Sequence, residues 1–158
     1  MTLKNRIGID EKLSNELANE LNDLLVNLQL FYMNTRGFHW NIKGEKFFEL
    51  HLKFEELYND LQLKIDEVAE RILTLGETPI HSYTEIIKKA AISEVTHVSN
   101  GKKAVESILE SFKVLIFKER KILKLSAEAD DEGTNALMSD YIRAQEKLVW
   151  MYAAYLSE

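Results

Sequence analysis

His51, Glu55, Tyr58, Gln62, Asp66 and Glu70 follow one another at intervals of three or four residues, so on a helix they share one face. Two pairs on that face are spaced i, i+4: a histidine with a glutamate, then an aspartate with a glutamate. Imidazole nitrogen together with carboxylate oxygen suits iron, manganese or zinc, and iron especially where the ligands leave coordination positions open. Each pair also has a plainer reading. A lone His-x-x-x-Glu on a helix is commonly a surface hydrogen bond, and an acidic pair is commonly half of a solvated face. His39 stands close to the start of this line, just before the turn at Gly44.

Distance sharpens the choice. Glu55 and Asp66 are eleven residues apart, roughly 17 Å along a straight helix, so no single ion is bound by both within one chain. Eleven residues are also close to three whole turns, and the two pairs therefore point nearly the same way. If a second copy packs antiparallel across a two-fold axis, the first pair of one helix faces the second pair of the other, and each dimer assembles two identical mixed sites. A competing template places glutamates and Glu-x-x-His motifs inside one bundle. Glu94 to His97 has that form, but it occurs once and lies in a connection. The spacing favours the shared site.

The elements that must carry these residues are read from apolar periodicity. Leu13, Leu17, Leu21, Leu24, Leu28 and Phe31 mark one buried helix face, with Asp10 as N-cap and an expected span of about 10 to about 40. Phe47, Leu50, Phe54, Leu57, Leu61, Ile65, Val68, Ile72 and Leu75 form the cleanest stripe, stopped by Gly76 and Pro79. Tyr83, Ile86, Ile87 and Ala90 predict a short helix within the mixed connection 77–99. A third long helix begins near Ser99, carries Val105, Ile108, Phe112, Leu115 and Ile122, and breaks at Asp130, Asp131, Glu132 and Gly133. A fourth, capped around Thr134, carries Leu137, Tyr141, Ala144, Leu148, Met151 and Tyr155. Two long helices, a crossover with a short helix, and two more long helices predict an all-α, ferritin-like four-helix bundle, with a generic up-down bundle as the alternative.

Composition bounds the rest. A chain of 158 residues makes one domain, 1–158, with 1–9 as a short N-terminal tail. One proline and six glycines leave little material for the turns of a many-stranded sheet. The absence of cysteine excludes disulfides, thiolate metal sites and cysteine nucleophiles, and a reducing cytoplasm fits it. The N-terminus shows no secretory signal, and no run of apolar residues is long enough to span a membrane. A net charge of −6 argues against a strong global grip on nucleic acid and favours gathering cations.

The run HWNIKGEKFFELHLKFEELYNDLQLKIDEVAERILTLGETP, from His39 to Pro79, resembles the signature region of the Dps family, the miniferritins. LVWMYAAYL, from Leu148 to Leu156, resembles the last helix of that family. The likeness extends over the chain from about residue 12. It implies a homododecameric cage with ferroxidase sites at its two-fold interfaces, oxidising Fe(II) with hydrogen peroxide or O2 and storing the ferric mineral within. Carried over residue by residue, His39, His51 and Glu55 come from one subunit and Asp66 and Glu70 from its neighbour. Glu55 departs from the aspartate common in the family, which lengthens its reach by one methylene. Zinc and manganese are conceivable substitutes for iron.

The same resemblance sets Trp40 beside the site as an electron donor or radical trap, or as an interface filler. It also sets Asp131 and Asp140, within the acidic stretch from Asp130, at an iron-entry pore; the alternative is that aspartates there only cap the fourth helix. Asn41 and Gln62 are candidates for holding an imidazole tautomer. DNA binding is expected to be weak or absent, because the N-terminus offers only Lys4 and Arg6 ahead of an acidic helix.

Overall fold

The computed structural model describes residues 2–157 and consists of five helices: α1 Glu11–Asn41, α2 Phe47–Thr74, α3 Tyr83–Lys89, α4 Gly101–Glu128 and α5 Glu132–Leu156. The four long ones form the all-α bundle that the periodicity predicts, and α3 is the short helix of the crossover. Side chains set the boundaries. The Asp10 carboxylate accepts from Leu13 N at 3.0 Å and the Asn100 amide oxygen from Lys103 N at 3.0 Å, each taking up an otherwise unpaired first-turn donor. Gly76, at φ +94°, ends α2 as only a glycine does cheaply, and Glu77 N reaches back to Ile72 O.

Burial follows the predicted stripes on α1, α2 and α4. Leu17, Leu21, Leu24, Leu28 and Phe31 pack with Phe54, Leu61, Val68, Ile72, Val105, Ile108, Phe112 and Leu115, all at most 1% exposed. Phe31 meets Phe112 edge to face with ring centroids 5.0 Å apart. Residues 3–10 close into a turn organised by Asn5, whose oxygen accepts from Ile7 N and Ile9 N while its amide donates to Ser14 Oγ and Leu75 O. The connection between α2 and α4 has little backbone pairing of its own, and three α1 asparagines stitch it down. Asn22 accepts from Ile80 N, Asn27 from Ala91 N and Ile92 N, and Asn34 from Val95 N.

The last helix departs from expectation in two ways. Its N-cap is Asp131, not Thr134: the carboxylate accepts from Thr134 N at 3.0 Å and from the Thr134 hydroxyl, and it takes Arg71 Nη2 of α2 at 2.6 Å. Arg71 Nε also donates to Thr134 Oγ1 at 2.9 Å. A Cβ on Gly133 would come within 2.7 Å of this guanidinium. The buried face of α5 is Thr134, Met138, Tyr141, Gln145 and Tyr152, whereas Ala144 and Met151 are exposed along the groove toward α2. The bundle thus buries polar groups where an apolar stripe was expected, and Glu119 on α4, 0% exposed, joins them.

Two stability predictions follow from these buried charges. Asp131→Ala removes one partner of a mostly buried ion pair together with a helix cap, and should lower stability by about 3–5 kcal/mol, against about 0.5 kcal/mol or less for exposed Asp140→Ala; thermal unfolding of the two variants measures the difference. Burial raises the Glu119 pKa from 4.5 to about 8, with Gln145, Lys64 and Arg120 pulling it partly back. The folded state therefore keeps a proton that the unfolded chain releases. This contribution is fully present below about pH 4.5 and is lost as pH rises toward about 8, at up to about 1.4 kcal/mol per pH unit. Glu119→Gln should flatten that slope in unfolding experiments from pH 5 to 8.

Candidate metal centre

His39, in the last turn of α1, and His51, in the second turn of α2, face each other across the α1–α2 corner. Their rings stack with centroids 3.7 Å apart and planes 14° from parallel. His39 Nδ1 lies 2.6 Å from His51 O, and His51 Nδ1 lies 2.7 Å from His39 O. A carbonyl oxygen only accepts, so both Nδ1 atoms carry hydrogen. With Nδ1 so engaged, Nε2 is the nitrogen left to bind a metal, with a fixed partner behind the ring. The His39 carbonyl is among the last four of α1, which have no partner within their own helix. The helix end and the imidazole therefore satisfy each other.

Backbone carbonyls thus do the work expected of Asn41 and Gln62. The Asn41 amide instead donates to Gly37 O at 2.8 Å, and Gln62 is exposed. Glu55, half-buried one turn beyond His51, receives a long contact from the Tyr58 hydroxyl at 3.5 Å. Tyr58 also meets the His39 ring edge to face at 5.3 Å. The Arg36 guanidinium fills the space behind it: its carbon lies 4.7 Å from the Tyr58 ring centre, 5.1 Å from Trp40 and 5.5 Å from Tyr32, and it donates to Tyr32 Oη at 2.5 Å. Trp40 is 60% exposed beside this cation. Arg36 carried no signal in isolation; its place one turn before His39, with aromatics four residues to either side, is the pattern that marks it.

Asp66 and Glu70 are exposed about three and four turns beyond Glu55 along α2, away from the histidines. Among the described residues, no group of three or more His, Asp or Glu side chains is placed to hold a metal ion. One chain pairs His39 with His51, sets Glu55 one turn further along α2, and leaves Asp66 and Glu70 apart, as the roughly 17 Å spacing requires. Glu94 and His97 lie exposed in non-helical chain, His97 at φ +59°, so their spacing does not make a helical ligand pair. Asp131 is only 2% exposed and committed to Arg71 and Thr134. Within one chain that carboxylate therefore serves as the cap of α5 and the partner of Arg71. Asp140 is exposed, paired with Arg143 at 2.9 Å.

Comparison with known proteins agrees with this architecture. The ferritin-like domain profile matches residues 18–158. A Dps protein from Vibrio cholerae, described as a member of a broad superfamily of ferritin-like diiron-carboxylate proteins, superposes with a TM-score of 0.97 at 56% identity, covering 99% of each chain. A Dps protein from Bacillus brevis does so at 0.89 and 34% identity, over 92% of this chain and 98% of the other. The DNA protection during starvation protein of Porphyromonas gingivalis is 41% identical over 96% of this chain and 95% of its own. Fold and sequence converge: the chain belongs to the Dps family of ferritin-like proteins.

Proposed function

We propose that the protein is a ferroxidase and iron-storage subunit whose oxidation site is shared between two copies related by a two-fold axis. The observation that carries this reading is the back-to-back histidine pair, with both Nδ1–H groups spent on backbone carbonyls and both Nε2 atoms left as donors. His39, His51 and Glu55 of one copy would bind Fe(II), with Asp66 and Glu70 of the other completing the set. Iron here is substrate and cargo. Neutral imidazoles and three carboxylates suit Fe(II), and the charge of the carboxylates favours the ferric product more strongly still.

With hydrogen peroxide as oxidant, two Fe(II) ions each give up one electron, the O–O bond breaks, and two protons are taken up as two waters form. Ferric ions then hydrolyse and gather as mineral in the interior of a dodecameric cage. Removing Fe(II) and peroxide together removes the source of hydroxyl radical, a route to the DNA protection for which the family is named that needs no contact with DNA. Weak or absent DNA binding at neutral pH fits the net charge of −6 and an N-terminal segment folded onto the bundle. Trp40, open to solvent beside Arg36, would act as an electron donor or radical trap near the site, or as an interface filler. A cytoplasmic location fits this chemistry, and among the described residues no helix is long and apolar enough to cross a membrane.

Anaerobic Fe(II) loading followed by peroxide, with the particle mass measured in parallel, tests the reading. Rapid ferric absorbance from a twelve-subunit particle is the expected result; a small oligomer with no such absorbance contradicts it. His39→Ala and Asp66→Ala should each slow oxidation while the cage still assembles. Co-expressing the two variants discriminates further. Half of randomly paired dimers are mixed, and each mixed dimer carries one doubly damaged and one intact site, so about a quarter of wild-type activity returns if the site is shared. No recovery would place the ligands within one chain.

A further inference from the structure

Among the described residues, five buried side-chain atoms near the middle of the bundle have no protein partner: both carboxyl oxygens of Glu119, the Tyr141 hydroxyl, and the amide nitrogen and oxygen of Gln145. The three residues are 0%, 4% and 1% exposed. Glu119 and Gln145 are set side by side by the next residue pair of the same two helices, Arg120 Nη2 to Glu146 Oε2 at 2.9 Å. Lys64 of α2 stands over the third side, with Nζ 5.1 Å from the centre of the Tyr141 ring. Gln145 and Lys64 both influence the Glu119 carboxyl, and Glu119 in turn influences Tyr141, so the groups lie within electrostatic reach of one another. Even so, Glu119 and Gln145 do not meet in hydrogen-bond geometry. More than nine in ten such groups in native interiors find a partner, in protein or in ordered water.

We propose that Glu119, Tyr141 and Gln145 form an internal hydration site between α4 and α5, which takes ordered water and rejects metal ions. The guest must donate to the amide oxygen of Gln145 and accept from its nitrogen and from the Tyr141 hydroxyl. Water does both, and a buried water typically makes about three such bonds. A metal ion would meet one carboxyl, one amide and one phenol, with no imidazole. It would also meet a lysine, whose own charge is directed to Asp60 at 2.6 Å. The remaining charges nearby are Arg120 on α4 and Glu67 on α2, whose carboxylate approaches the Tyr141 hydroxyl and competes for it without reaching hydrogen-bond geometry. Burial keeps the Glu119 carboxyl protonated at neutral pH, which gives the water one more donor and the metal no anion. Iron oxidation at the corner histidines has no role in this site.

Atomic-resolution diffraction from crystals of the full chain near pH 6, soaked in zinc chloride, tests the proposal. The expected result is a solvent peak within roughly 3 Å of two or more of the five atoms, with no zinc anomalous signal there. Glu119→Gln keeps a donor and an acceptor and should keep the peak. Gln145→Met should lose it, and Glu119→Leu should lose it too if that variant folds. A dry site, an anomalous peak beside Glu119, or a solvent peak that survives Gln145→Met unchanged would overturn the proposal. Zinc at the corner histidines is recorded in the same map and bears on the ferroxidase reading alone.

Discussion

A straight α-helix separates residues eleven apart by roughly 17 Å and returns them to nearly the same face. The functional account rests on that geometry. It divides the acidic and imidazole side chains of α2 into two groups that cannot serve one ion in one chain, and it aims both groups outward along one line. The rest of the fold keeps that line in place. The apolar face of α2 is clamped against α1, while Arg71, on a third face, locks its C-terminal end to the start of α5 through Asp131 and Thr134. The candidate ligands therefore sit on a rigid element, which suits a site that must be completed by a symmetry mate.

The corner between α1 and α2 shows how local physical chemistry fixes the orientation of two candidate imidazole ligands. A helix end has carbonyls without partners, and a metal-binding histidine needs an acceptor behind it. Placing His39 at the end of α1 and His51 near the start of α2 meets both needs through one reciprocal exchange. The Arg36 guanidinium is held by the rings of Tyr32, Trp40 and Tyr58, and Tyr58 in turn contacts His39 and Glu55.

Much of this was legible in the sequence, and the failures have physical causes. The α2 stripe was unambiguous because apolar residues occupy nearly every buried position. On α4 the same stripe has a gap between Leu115 and Ile122, and the residue at helical phase within it is Glu119; a missing apolar residue was the only sign of a buried acid. On α5 the phase was misjudged because Thr134 and Gln145 occupy buried positions while Ala144 and Met151 line a groove. Asp131 was legible as a cap, but its pairing with Arg71, sixty residues earlier in the chain, was not. The crossover was opaque because its order comes from Asn22, Asn27 and Asn34 on a distant helix. The imidazole partners were missed because backbone carbonyls have no sequence signature.

In the proposed assembly, two chains build one metal centre. Iron-edge anomalous diffraction from crystals loaded with Fe(II) without oxygen tests it most directly. The account predicts anomalous density within about 2.5 Å of the Nε2 atoms of His39 and His51 in one chain, with Asp66 and Glu70 reaching it from a second chain across a two-fold axis. Iron ligated wholly within one chain, or no ordered iron at the histidine corner, would contradict it.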